Sequence, residues 1–215
     1  MKHRLADWDR HIATAAEALA SGRIAILTDG QRHTLTLFGQ AILEWAYPAG
    51  LTTASEPRSV VDRLILDSLL GYPLLANRES VTDIGTGPGI PGIPLAIAMP
   101  DACFTLVDSR RKAVSFLHYV IPPLGLGNVS CLRARVGHDP IPQSEAVVSR
   151  CAGNPQTIAG ICLTAVRPGG IVVLWVKSDL SAASLGTDCL GAVSEVRTFD
   201  ISAMGHTRRL LMLRR

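Results

Sequence analysis

The chain has 215 residues, 47% of them hydrophobic and 18% charged, with a formal net charge of +3. That length fits one main domain with room for a small extension, and the apolar share excludes a disordered chain. The mild positive charge permits an anionic partner such as RNA without requiring one. Mean hydropathy is positive, at +0.27, yet no run approaches the roughly 18 uncharged apolar residues of a spanning helix.

The predicted elements begin with a helix over about 5–20, where Trp8, Ile12, Ala15 and Leu19 recur at helical spacing and Ser21-Gly22 ends the run. A short extended piece is expected at 23–27. Helices follow over about 36–47, before Pro48-Ala49-Gly50, and over 59–70, with Val60, Leu64 and Leu70 on one face. From Val81 the texture changes to short apolar runs alternating with helices. Strands are predicted at 81–84, 104–107, 128–132, 146–149 and 171–176, with helices at 91–98, 111–119 and 158–166. Two further strands, 193–199 and 209–213, finish the chain. Alternation of this kind implies an α/β fold with a mostly parallel, doubly wound sheet. The expected organisation is a helical extension over 1–76 and a main α/β domain over 77–215.

The segment that carries chemistry is Asp83-Ile84-Gly85-Thr86-Gly87-Pro88-Gly89. Glycines at 85, 87 and 89 let the backbone turn sharply and approach a ligand closely, and the following helix offers unsatisfied amides to it. A strand before and a helix after make this a cofactor loop rather than an ordinary turn. Asp108 ends the next strand, 25 residues after Asp83, where its carboxylate can accept hydrogen bonds from two ribose hydroxyls. Asp108 would equally serve as a cap before Ser109-Arg110-Arg111, and the two roles are compatible. To this point a nicotinamide dinucleotide remains as good a ligand as any other.

An acidic residue two positions before the first glycine resembles the class I methyltransferases, whose seven-stranded Rossmann-like sheet also ends in an antiparallel hairpin. The longer run Gly85-Thr86-Gly87-Pro88-Gly89-Ile90-Pro91-Gly92-Ile93-Pro94-Leu95 resembles the signature of the bacterial glucose-inhibited-division-B family. The likeness covers about two-thirds of the chain. It takes in Leu51-Thr52, Ile65-Leu66-Asp67-Ser68, the strand ending in Asp108-Ser109, Lys112-Ala113-Val114-Ser115-Phe116-Leu117, Ser149-Arg150 and Lys177.

That resemblance implies an S-adenosylmethionine-dependent enzyme methylating N7 of a guanine in 16S ribosomal RNA, free or in the small ribosomal subunit. It implies that Asp83, Gly85, Thr86, Gly87, Gly89 and Ile90 hold the cofactor, with Asp108 and Ser109 at the ribose. Val136 and Gly137 would lie beside the adenine, and Arg150 would face both cofactor and methyl-transfer cleft. Arg63 also has a family equivalent and joins the expected RNA contacts. The chain departs from the family at Gly50, usually Asn, at Leu64, usually His, at Gly137, commonly Glu, and at Cys151, usually Ala. The polar changes lie near the expected acceptor cleft, so a relative methylating a small molecule is the rival expectation. A module that holds cofactor or RNA without turnover is a third.

Guanine N7 is an unprotonated ring nitrogen, so its methylation needs alignment rather than a general base. No Asn-Pro-Pro-aromatic motif for exocyclic amines is present, and Cys151 lacks the Pro-Cys context of a cytosine-C5 nucleophile. Methylation places positive charge on the purine, which a carboxylate such as Asp67 or Asp139 would stabilise; Asp67 as a local cap or ion-pair partner is the plainer reading. RNA contacts are expected from Arg110, Arg111, Lys112, Arg133, Arg135, Lys177, Arg208, Arg209, Arg214 and Arg215, with an ordinary solvated face as the alternative. For base stacking the best-placed rings are Trp45, Tyr47 and Trp175.

Cys103, Cys131, Cys151, Cys162 and Cys189 form no CxxC pair and read as reduced thiols, and lone histidines such as His118 and His206 lack metal-ligand spacing. Met1-Lys2-His3-Arg4, followed by Asp7 and Asp9, has no apolar signal core. A cytoplasmic protein without metal or membrane association is therefore expected.

Overall fold

The computed structural model describes residues 5–150, 154–176, 193–201 and 206–215. Its centre is a seven-stranded sheet in the order β3-β2-β1-β4-β5-β7-β6. The strands are β1 (Ser80–Ile84), β2 (Cys103–Asp108), β3 (Val129–Arg133), β4 (Ser144–Arg150), β5 (Val166–Val176), β6 (Val193–Ile201) and β7 (His206–Arg214). The first five run parallel, while β7 pairs antiparallel with both β5 and β6. Helices α6 (Gly92–Ala98), α7 (Arg111–Val120) and α8 (Pro155–Ala165) connect the strands. This is the class I Rossmann-like arrangement expected above.

Central parallel strands are covered on both faces, which is why their sequences are continuously apolar rather than alternating. Val81, Ala146, Val147, Val148, Val172 and Val173 are all buried. β1 lies between β2 and β4, so the chain leaves it in one direction for β2 and β3 and returns on its other side as β4. Beyond the carboxyl ends of β1 and β4 lies the switch-point crevice where open α/β sheets bind ligands.

The N-terminal part is helical. It comprises α1 (Leu5–Ser21), α2 (Asp29–Ala41), the short helices α3 (Pro57–Val60), α4 (Asp67–Leu69) and α5 (Tyr72–Leu75), and two π-helical stretches, Ile42–Ala46 and Val61–Leu66. One apolar cluster runs from Trp8, Ile12, Leu35 and Phe38 through Ile65 and Leu69 to Phe104, Leu106, Val148 and Trp175. The helices thus share the core of the sheet.

α2 starts seven residues before its predicted start. Thr28 and Gln31 form a reciprocal capping box: the Thr28 hydroxyl accepts from the Gln31 amide at 3.2 Å, and the Gln31 side chain accepts from the Thr28 amide at 2.9 Å. The Gln31 side-chain amide also donates to the Ile97 carbonyl at 2.9 Å, tying α2 to α6. The extended piece expected at 23–27 joins no strand; those residues form the turn and connection between α1 and α2. No helix among the described residues is long and apolar enough to cross a membrane.

Candidate active site

The glycine loop is held from beneath by Asp83, which is fully buried at the end of β1. One carboxylate oxygen, Oδ2, accepts the Thr86 hydroxyl at 2.6 Å and the Gly92 amide at 2.8 Å. The loop therefore closes onto its own strand, and the Gly85 and Thr86 amides both donate to the Val107 carbonyl of β2. Gly85, Gly87 and Gly89 all have positive φ, at 72°, 59° and 91°, a region that glycine enters without the steric cost of a side chain. At Gly92, a Cβ would fall 2.2 Å from Leu106 and 2.8 Å from the Asp83 carboxylate, so the backbone there has space for glycine alone.

Burial pushes the Asp83 carboxyl up from 3.8 to about 7, against the opposing bonds from Thr86 and Gly92, and repulsion from Asp108 adds to the rise. A carboxyl raised in the folded state favours folding in its protonated form. That contribution is complete below about pH 4 and is lost as pH rises through about 7. Asp83→Asn should therefore flatten the stability profile between those limits in urea unfolding; wild-type and variant curves that stay parallel would contradict this.

Asp108 ends β2 with a side chain only 4% exposed. Its Oδ1 accepts the Arg110 amide at 2.9 Å and Nε at 3.1 Å; its Oδ2 accepts the Gly87 amide at 2.9 Å and Arg110 Nη2 at 3.0 Å. Burial alone would raise this carboxyl, but the Arg110 fork and the two amides outweigh it and hold it below the usual range. Asp108 thus stays ionised. Its four acceptor positions are all engaged, so a ribose diol must compete with Arg110 for them. Arg110 is about half exposed, which limits the worth of the pair to about 1 kcal/mol or less. If Asp108 holds the ribose as the resemblance implies, Arg110→Ala should tighten S-adenosylhomocysteine binding by up to about fivefold in calorimetry; weaker binding would mean that the guanidinium supports the ribose instead.

A cleft of about 380 Å³ opens beside Asp108, lined by Gly85, Arg110, Arg135 and Val136 and by Ile158 and Ile161 of α8, among others. Its lining combines the Asp108 carboxylate and two arginines with apolar residues, a mixture that suits a nucleoside. Gly137, next to Val136, has a φ of 87°. Thr86 and Ile90 are buried, Thr86 against Asp83 and Ile90 within the core, so their side chains shape the loop. Ile158 and Ile161 were not singled out from sequence: the helix pattern was visible, but not which of its residues line the cleft beside Ala134 and Val136.

On the other side of the crevice, Asp67 of α4 is completely buried and accepts from two arginines. Arg150, at the end of β4, donates from Nε to Asp67 Oδ2 at 2.7 Å, and Arg208 of β7 donates from Nε to Oδ1. A second Arg150 nitrogen donates to the Arg63 carbonyl at 2.7 Å. Asp67 is therefore a buried anchor for two guanidiniums rather than an open carboxylate beside the acceptor. Trp175, expected as a stacking ring, is buried instead, its indole N–H donating to the Asp67 carbonyl at 2.8 Å.

Among the other expected cations, Arg63 and Arg111 are exposed, and Lys112 donates to the Ala49 carbonyl at 3.0 Å. Asp139 accepts from the Arg135 amide at 2.7 Å. Gly50 is exposed with a φ of 67°, whereas Leu64 is buried. Lys177, Cys151 and Cys189 lie outside the described residues.

The comparisons with known proteins agree with this geometry. Residues 31–209 match the family model described as rRNA small subunit methyltransferase G. Ribosomal RNA small subunit methyltransferase G of Yersinia pseudotuberculosis is 35% identical over 192 residues, covering 87% of this chain and 92% of the relative, and that of Yersinia pestis matches equally well. Among solved structures, a SAM-dependent methyltransferase from Aquifex aeolicus superposes with a TM-score of 0.58 at 16% identity, covering 78% of this chain and 97% of that one. A SAM-dependent O-methyltransferase from Thermotoga maritima gives a TM-score of 0.58 at 13% identity, covering 69% and 64%. These two likenesses are in fold.

Proposed function

We propose, from the premise that this chain belongs to the rRNA small subunit methyltransferase G family, that it transfers a methyl group from S-adenosylmethionine to N7 of a guanine in 16S ribosomal RNA in the cytoplasm. The observation that carries this reading is the pairing, across one crevice, of the Asp108 nucleoside cleft with the Asp67-anchored arginines.

The residues fit the cofactor. Asp108 is an ionised acceptor for the ribose hydroxyls, Val136, Ile158 and Ile161 supply apolar lining to the same cleft, and Gly85 to Gly89 allow close backbone approach. Held by Asp108 and the Gly85 to Gly89 backbone, S-adenosylmethionine would supply an already activated methyl group, carried on a positively charged sulfur, to an unprotonated ring nitrogen. No proton has to be removed. This suits a site whose carboxylates are committed to structure: Asp83 to the loop, Asp67 to two arginines. What the protein contributes is alignment. Arg150 and Arg208, fixed by Asp67, carry one more positive charge than their anchor and favour the RNA backbone on the acceptor side.

Incubation with labelled S-adenosylmethionine tests the acceptor class. Label should enter deproteinised 16S RNA or small ribosomal subunits. Label confined to small molecules from a cell extract would overturn the RNA acceptor, and would fit the changes at Gly50, Leu64 and Gly137. Cofactor binding without any transfer would make the chain a binding module.

A further inference from the structure

Outside the cofactor crevice, one surface combines exposed aromatic rings with cationic residues. The π-helical stretch Ile42–Ala46 packs beside α7, and there the Trp45 and Tyr119 rings meet with centroids 5.1 Å apart and planes tilted by 59°. Trp45 is 48% exposed and Tyr119 55%, and Tyr47 nearby in sequence is also exposed. By contrast, Phe38, Phe104, Phe116, Trp8 and Trp175 are buried, and Tyr72 and Phe199 partly so. With only 5% aromatic residues, leaving this pair in solvent forgoes core material, because a buried Trp or Tyr contributes heavily to packing.

Lys112 and Tyr119 are seven residues apart on α7 and so share a face about two turns apart. Ser115, also exposed, lies between them on that face. The Lys112 ammonium reaches the Ala49 carbonyl, fixing the segment after Trp45 against the first turn of α7. Arg111, Lys112 and His118 are exposed on this helix, which has no acidic residue, and Glu44 precedes Trp45 in sequence. The same helix starts just after Asp108, so the surface leads away from the rim of the cofactor cleft.

We infer that the Trp45–Tyr119 pair is a stacking platform for an unpaired RNA nucleobase flanking the methylated guanine, with Arg111 and Lys112 following the adjoining phosphates. The inference rests on the RNA reading above. Stacking of one base on an aromatic side chain is worth about 1–3 kcal/mol and tolerates any base. The aromatic and cationic groups here match a nucleotide better than an apolar protein segment.

Trp45 supplies its own probe, since Trp8 and Trp175 are 2% and 3% exposed. Titrating the full chain with a single-stranded 16S RNA fragment should quench Trp45 emission, and Trp45→Phe should lose that quench. Trp45→Ala and Tyr119→Ala should each weaken RNA binding by roughly five- to hundredfold, while Tyr119→Phe retains affinity. S-adenosylhomocysteine binding, unchanged in these variants, checks that they fold. Lys112→Ala should lower the salt dependence of RNA binding by about one charge. If the wild type methylates RNA but the alanine variants bind it equally well, the platform alone is overturned. Quenching by ribosomal protein but not by RNA overturns it too. If the wild type neither binds nor methylates RNA, the RNA reading falls, and the platform with it.

Discussion

Asp67→Asn should destabilise the protein by about 3–5 kcal/mol, the usual cost of removing one partner from a buried ionic group. The carboxylate is fully buried while Arg150 and Arg208 are 16% and 18% exposed, so the charge is held by two guanidiniums that have little water to fall back on. Without it, three elements distant in sequence, α4, β4 and β7, lose their common polar joint. Urea unfolding near neutral pH measures the effect; a loss below about 1 kcal/mol would mean that the arginines rehydrate freely and that the joint is ornamental. The folded fraction of the variant should still bind cofactor, because the Asp108 cleft lies on the other side of the crevice. Its methyl transfer to RNA should fall, since Arg150 and Arg208 are no longer oriented.

Asp108→Ala should act in the opposite way, sparing much of the stability and removing cofactor affinity. Two hydrogen bonds from ribose hydroxyls to an ionised carboxylate are worth about 1.5–3 kcal/mol each, so the loss should be a hundredfold or more. Calorimetry with S-adenosylhomocysteine gives the number, and unchanged affinity would place the ribose elsewhere. Because Arg110 and two amides hold the Asp108 carboxyl below its usual range, wild-type affinity should also stay level as pH falls from neutral towards about 5; a decline in step with Asp108 protonation in that range would contradict the assignment.

These two sites differ in how far they could be read from sequence, and for a physical reason. The cofactor side is local. Asp83, the glycines, Gly92 and Asp108 lie on one strand–loop–helix–strand unit, where spacing alone fixes which groups meet. The Asp67 cluster is assembled over long separations: Arg150 meets Asp67 across 83 positions and Arg208 across 141. No periodicity announces such a meeting: Asp67 read as a local cap or pair, or as a carboxylate near the purine, and its partners proved to be two arginines far away in sequence. Trp175 read as a stacking ring for the same reason, although strand pairing and the Asp67 carbonyl take it inside.

Local misreadings have local causes. Counting apolar positions put the start of α2 at residue 36, but the polar pair Thr28 and Gln31 sets it by satisfying the first amides. Arg110 counted as an RNA cation until the turn after β2 folded its guanidinium back onto Asp108. The mostly parallel sheet was legible because buried parallel strands demand unbroken apolar runs, and those are visible in any register; its antiparallel end was expected only from the resemblance to class I methyltransferases.

The most direct test of the whole account is the nucleoside made. Wild-type protein incubated with S-adenosylmethionine and 16S RNA, alone and within small subunits, should yield N7-methylguanosine on complete digestion, and Asp108→Ala should yield almost none. Methyl groups found instead on an exocyclic amine, a cytosine carbon or a ribose hydroxyl would contradict the base-free N7 transfer proposed for this crevice.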